Sequence, residues 1–298
     1  MHRVTLRGSR VRDSLAKVAL IQYDDLEIAT IFDGDNYNLR LDLFRPQRRE
    51  TFVELLRRSN LPPEPMITSV NAFLIRDDGR TILVDSGMGH YSGSTMGYLV
   101  ESLSLLDVEP GQVTDVILTH MHRDHAGGLI DREGAATFPE ATVHVSRPEL
   151  AYWSDPGLMA CCRPEFRPFV QVAQTVLEVY GKRVRTVDEA CAFSPRVAVS
   201  PIAGHTPGHT AVWLQGRSAR MCMWGDLVHS AALQCPVPEI TVAFDADEQQ
   251  ARATRADLFA RASRERFLVC GAHLPFPGVG WIDAQEGGGY LFDPLRAS

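Results

Sequence analysis

The run Thr119-His120-Met121-His122-Arg123-Asp124-His125-Ala126-Gly127-Gly128 constrains this chain more than any other stretch. Three imidazoles and a carboxylate stand within six positions, directly after the apolar run Val116-Ile117-Leu118. Imidazole and carboxylate are ligands of zinc and its borderline neighbours. Four of them in one turn suit two metal ions better than one. A fold that keeps such a turn must end a buried strand at a rim where other loops deliver further ligands.

Three other strand ends carry matching groups. Gly204-His205-Thr206-Pro207-Gly208-His209-Thr210 follows a strand-like run at 197–200. Gly225-Asp226-Leu227 follows one at 221–224, and Gly271-Ala272-His273 follows one at 267–270. A glycine in each lets backbone approach closely. Four loops at strand ends can converge on one rim, which argues for a single site.

Strands and helices alternate between these turns. Residues 69–75 and 81–85 flank an Asp78-Gly79 turn and read as a hairpin. Residues 116–118, 141–145, 196–200, 211–214, 221–224 and 267–270 read as further strands. Leu99, Leu103 and Leu106 share one helical face, as do Phe169, Val172, Ala173 and Val176, with Gly181 placed to stop the second helix. Asp245 with Glu248 resembles a capping box that opens a third helix through Ala251 and Leu258. This alternation predicts an α/β protein whose sheets carry helices on their outer faces. Residues 1–65 show weak strand signals and the proline-rich Leu61-Pro62-Pro63-Glu64-Pro65. They are expected to form an N-terminal extension, a strap or dimerisation segment, ahead of the main domain at 66–298. Residues 154–168 form either a loop packed under a helix or a lid.

Charge narrows the partners. A formal net charge of -7 disfavours nucleic acid, whose recognition leans on clustered Lys and Arg. Arg12, Asp13 and Lys17 interrupt the N-terminal segment, so neither a signal peptide nor a membrane span is expected. Cys161, Cys162, Cys191, Cys222, Cys235 and Cys270 form no Cys-x-x-Cys pair. They read as buried free thiols, and the expected compartment is the reducing cytoplasm.

His120-x-His122-x-Asp124-His125, then His209, Asp226 and His273 in order, resemble the metallo-β-lactamase fold superfamily across residues 66–285. That resemblance implies a four-layer αβ/βα sandwich with a site for two divalent metal ions, taken as Zn2+, along one edge. It implies that His120, His122 and His209 hold one metal, that Asp124, His125 and His273 hold the other, and that Asp226 bridges both. His205 would then back the site without touching metal. Asp85 resembles the superfamily's buried aspartate that supports a ligand. The chemistry implied is hydrolysis: ions about 3.5–4 Å apart share a water, lower its pKa and deliver hydroxide to a carbonyl or phosphorus centre.

Details favour one branch. Asp226 stands where many true β-lactamases carry Cys or Ser. Trp224-Gly225-Asp226-Leu227-Val228-His229, Thr241-Val242-Ala243-Phe244-Asp245-Ala246-Asp247 and His273-Leu274-Pro275-Phe276-Pro277-Gly278 resemble methyl parathion hydrolases, with N-acyl homoserine lactonases as near relatives. In many such lactonases a tyrosine lies three residues after the bridging aspartate and contacts substrate. Here His229 holds that position, and its imidazole can bond the substrate or protonate a leaving alkoxide. Asp124, Asp226 and His229 are therefore the catalytic candidates, and Trp153, Met159 and Phe166 are candidates to line an apolar substrate cleft. The expected activity is opening of a lactone or cleavage of an ester in a small molecule. Phosphotriester cleavage is the alternative, and a non-catalytic metal scaffold the contrasting class. A homodimer built through the N-terminal segment is expected.

Overall fold

The computed structural model describes residues 4–11, 15–91, 93–187 and 191–295. Two sheets face each other, and side-chain alternation assigns the layers. Ile82, Val84 and Ile117 turn into the space between the sheets, against Val212, Leu214, Met221 and Met223. Their neighbours Leu83, Val116 and Leu118 turn the other way, onto Leu99, Leu103, Val170, Ala173 and Val176 of the outer helices. Across the second sheet Ala211, Trp213 and Cys222 pack outward onto Leu258, Phe259 and Ala262 of the Glu248–Glu265 helix. The order is helix, sheet, sheet, helix: the four-layer αβ/βα sandwich. Each fully buried Val, Leu, Ile or Phe in these layers contributes about 1.5–3 kcal/mol relative to exposure.

The larger sheet has eight strands in the order Val4–Val11, Lys17–Tyr23, Leu26–Leu39, Met66–Asp77, Arg80–Val84, Asp115–Ile117, Thr142–Ser146 and Val184–Val187. From Arg80–Val84 onward the pairing is parallel, so successive turns open on the same edge. The second sheet has six strands, Val197–Pro201, Thr210–Gln215, Arg220–Met223, Leu268–Cys270, Val279–Ala284 and Tyr290–Pro294. A bond from the Thr210 amide to the Thr119 carbonyl (2.9 Å) joins the ends of the two sheets where the ligand turns lie. Asp78 (φ 50°) and Gly79 (φ 72°) make the left-handed pair that a tight hairpin turn needs.

Three expectations are corrected. Val4–Val11, Lys17–Tyr23 and Leu26–Leu39 are not a strap but three strands of the larger sheet, the longest being Leu26–Leu39 beside Met66–Asp77. For the second and third of these strands the signal is weak in the sequence because both faces are covered. Val18 packs with the outer helices while Ala19, Ile21 and Tyr23 pack between the sheets, so no polar face betrays the strand. Asp245 does not cap the third helix; Asp247 does, accepting from the Gln250 amide at 2.9 Å, which frees Asp245 for the site. Segment 154–168 holds a short helix, Leu158–Cys161, and is both packed and facing a cavity.

Arg12 and Asp13, read as interruptions of a leader, lie outside the described residues. All six cysteines are free thiols; Cys222, Cys235 and Cys270 are buried and Cys161 is exposed. Among the described residues no helix is long and apolar enough to cross a membrane.

Candidate metal centre

His120 and His122 follow the end of the Asp115–Ile117 strand, and Asp124 and His125 stand in the single helical turn after them, Arg123–Ala126. Around them come the loop after Val197–Pro201, the Gly225–Leu227 turn and the loop after Leu268–Cys270. Their donor atoms form three overlapping groups within 4.8 Å: His120, His122, His205 and Asp226 in the first, Asp124, His125 and His273 in the second, and Asp226, His229 and His273 in a third that adjoins both.

In the first group the Nδ1 of His122 lies 3.0 Å from the Nε2 of His120 and 2.9 Å from the Nε2 of His205. The Oδ2 of Asp226 lies 3.7 Å from His120 and 3.3 Å from His205. In the second, the Oδ1 of Asp226 lies 2.9 Å from the Nε2 of His125 and 3.2 Å from that of His273. Asp124 completes it at 3.4 Å from His273 and 3.9 Å from His125. Asp226 thus gives one oxygen to each of these two groups.

Donor atoms on one tetrahedral zinc at about 2.0–2.1 Å stand roughly 3.3 Å apart, the scale of these separations. The Nε2 of His125 and Oδ1 of Asp226 are both buried and form no hydrogen bond despite their 2.9 Å approach. A nitrogen and an oxygen lone pair aimed at one another are costly in a dry site unless a cation, metal or proton, takes them up. The donor set therefore fits two divalent ions.

The backs of the imidazoles are tied down. Thr119 Oγ1 meets the Nδ1 of His120 at 3.1 Å. Asp85 meets the Nδ1 of His125 at 2.8 Å, Asp245 that of His205 at 2.8 Å, and the Ser69 carbonyl that of His273 at 3.0 Å. Such partners fix ring orientation and tautomer. Asp85 also accepts from the Thr119 amide and hydroxyl, each at 2.8 Å. Behind His122, Glu149 accepts from the Met121 and Gly208 amides, the Thr206 hydroxyl and the Trp153 indole. It clamps the two histidine loops together, and burial raises its pKa.

Electrostatics divides the histidines. Burial and the neighbouring imidazoles hold His120 and His122 far below the usual imidazole range. Burial works the same way on His205, but Asp226 and Asp245 outweigh it and lift the pKa to about 9. His125 and His273 are raised against burial chiefly by Asp226. Burial lowers His229 despite its contact with Asp226. Those same histidines drive the Asp226 carboxyl far below its ordinary range despite its burial.

The structure brings six of the sequence-predicted ligands together, and His209 lies apart from them. His209 lies behind the first group, where its Nε2 accepts the Asp226 amide at 3.2 Å and its Nδ1 has no partner. Burial depresses its pKa to about 3, which suits a neutral acceptor. His205 takes the place expected for it. Gly204, at φ 134°, brings that turn so close to Ala251 that a Cβ would stand 2.4 Å from its backbone nitrogen. At Gly225 (φ 50°) a Cβ would lie 2.7 Å from the Nε2 of His209. The helpful signal was Asp245, a carboxylate able to orient His205 but assigned to a helix cap.

Two cavities meet at His122, His205 and Phe244. One, of about 250 Å³, opens over Asp124, Asp226, His229 and His273. The other, of about 500 Å³, runs past Tyr152, Leu158 and Phe166. His229 stands on the floor of the first, 3.1 Å from Asp226 Oδ2, its ring stacked on His273. Of the predicted cleft residues, Phe166 lines the second cavity. Trp153 is wholly buried, edge-on to His122 and bonded to Glu149 at 2.6 Å, so it supports the wall from behind. Met159 packs onto the outer-helix core. Phe169 and Phe244 also line the first cavity; in the sequence Phe169 reads as part of a helix face, and Phe244 stands inside the Thr241–Asp247 motif.

Residues 65–273 match the Metallo-beta-lactamase superfamily. The chain belongs to that superfamily, and with it to the metal-dependent hydrolases. A 111-residue stretch is 32% identical to the N-acyl homoserine lactonase AiiB of Rhizobium rhizogenes (strain K84), covering 29% of this chain and 40% of that relative. The similarity to this curated relative thus reaches less than half of its length. Among solved structures, the hydrolase AbOPH of the beta lactamase superfamily superposes with a TM-score of 0.86 at 30% identity, covering 94% of this chain and 97% of that one. AidC, a dizinc quorum-quenching lactonase in complex with a product, shares the fold with a TM-score of 0.88 at 23% identity, covering 96% and 100%.

Proposed function

We propose that this hydrolase opens lactones or cleaves carboxyl esters at a centre of two zinc ions. His120, His122 and His205 would hold one ion, Asp124, His125 and His273 the other, with Asp226 between them. The observation that carries the reading is the division of the Asp226 oxygens between two donor groups, 3.3 Å from His205 on one side and 2.9 Å from His125 on the other. Bound there, two divalent ions would supply an acidified water and polarisation of the substrate oxygen. The chain's own groups do the rest. Asp124, beside His273 at the cavity edge, is the more exposed carboxylate, 13% against 4% for Asp226, and is the group to orient water and take its proton. His229 on the floor bonds a substrate oxygen. Phe169 and Phe244 exclude water and favour an acyl or aryl group over a nucleotide.

Side-by-side kcat/KM of the zinc-loaded protein on an acyl homoserine lactone and on methyl parathion tests this. The expected lactone value exceeds about 10⁴ M⁻¹s⁻¹, within the ordinary enzyme range. The reverse ranking would assign the site to phosphotriesters.

A further inference from the structure

One cation on the cavity lip is uncommitted. Arg123 lies between the ligands His122 and Asp124 and lines the cavity over the metal centre. Its guanidinium stacks over the Phe169 ring, 5.3 Å from the centroid. Its Nε is buried without a hydrogen-bond partner, and the side chain forms no ion pair with a described residue. The neighbouring carboxylates are engaged elsewhere: Asp124 and Asp226 point into the histidine groups.

Arg255, buried in the fold, behaves differently. Arg255 is 1% exposed and donates to the carbonyls of Leu227, Pro238 and Ile240 at 2.6–2.9 Å, with Asp245 nearby. Every direction it faces is satisfied, as a structural arginine requires. A guanidinium left half-desolvated without a counter-charge costs stability, and a ligand that supplies one recovers that cost. The planar fork matches a carboxylate in two parallel bonds, which a neutral carbonyl cannot make.

We infer that Arg123 reads an anionic group on the substrate: the preferred lactone or ester carries a carboxylate on the part that rests against Phe169 and Phe244. This rests on the hydrolase reading above and narrows it to anionic acyl substrates. The cavity of about 250 Å³ has room for such a group beside the reacting carbonyl.

A matched pair of esters tests it: the p-nitrophenyl monoester of glutaric acid and p-nitrophenyl butyrate, given to zinc-loaded wild type, Arg123→Lys and Arg123→Met. Wild type should prefer the glutarate monoester by about tenfold or more in kcat/KM, the scale of one hydrogen bond to a charged group. Arg123→Met should bring that ratio to within about twofold of unity, and Arg123→Lys should keep part of it, because lysine is a point charge without the fork. No preference in wild type, or one retained in Arg123→Met, overturns the inference.

Calorimetric binding of benzoate and benzamide to the same three zinc-loaded proteins is independent of turnover. Arg123→Met should weaken benzoate about tenfold relative to benzamide. Equal losses for both ligands would also overturn it. If neither ester is turned over, the hydrolase reading fails while the benzoate arm still decides the role of Arg123.

Discussion

On the floor of the cavity the imidazoles are held from behind by hydrogen bonds: His125 by Asp85, His205 by Asp245, His273 by the Ser69 carbonyl. On the wall, Phe166 and Phe169 are held by packing, stacked 5.4 Å apart, with Phe244 at 6.3 Å from Phe169. The floor is therefore specified by directional bonds that tolerate almost no displacement, whereas the wall is specified by volume and accepts other shapes of similar size. In the function proposed above, reaction class belongs to the floor and substrate range to the wall. Changes on the floor should abolish turnover, and changes on the wall should shift preference.

The sharpest way to break that division is Asp226→Asn. Steady-state kinetics on the best ester should show a loss of at least about 10³-fold, the scale of removing one electrostatic group from a water-excluded site. A loss under about tenfold would deny the floor its role.

Trp153→Ala asks whether the wall's backing is structural. Urea unfolding should show a loss of about 3–5 kcal/mol, as for a large buried aromatic. A cleft-lining tryptophan would instead raise KM and leave stability nearly intact. Asp245→Asn and Asp85→Asn should each weaken metal affinity by about 10–100-fold in competition titrations with a chelator.

The pH dependence of metal uptake follows from the raised imidazoles. Metal must displace the protons that Asp226 and Asp245 help hold on His205, whose pKa stands near about 9. Uptake at neutral pH should therefore release protons, and affinity should climb with pH until that value is passed. In the metal-free protein the sign is opposite. The protonated His205 contact stabilises the fold fully below the ordinary imidazole value of 6.5 and is lost as pH rises through about 9. A pH-independent metal affinity would contradict this charge assignment. The smallest effect belongs to the wall: Phe169→Ala or Phe244→Ala should raise KM several-fold, about 1 kcal/mol, with kcat nearly kept.

The floor was legible in the sequence because ligand chemistry admits few residue types and glycine marks each turn. Even so, His205 and His209, four residues apart in one turn, are chemically identical as letters. Only the fold decides that the Nε2 of His205 faces His122 while that of His209 faces the Asp226 amide. The hairpin and the central strands were legible through their alternation. Lys17–Tyr23 and Leu26–Leu39 were not, since burial on both faces erases it. Glu149 was hidden for a related reason: its four partners come from segments up to 59 positions away, beyond the reach of any local pattern. Trp153 and Phe169 could not be told apart, because an aromatic in a helix looks the same whether it faces core or cavity.

The most direct test of the proposed two-ion floor is the metal content of His205→Ala and His209→Gln, measured after equilibrium dialysis against zinc. The arrangement predicts that His205→Ala keeps one ion per chain while His209→Gln, which preserves an acceptor for the Asp226 amide, keeps two. Loss of an ion from His209→Gln, with both retained in His205→Ala, would contradict it.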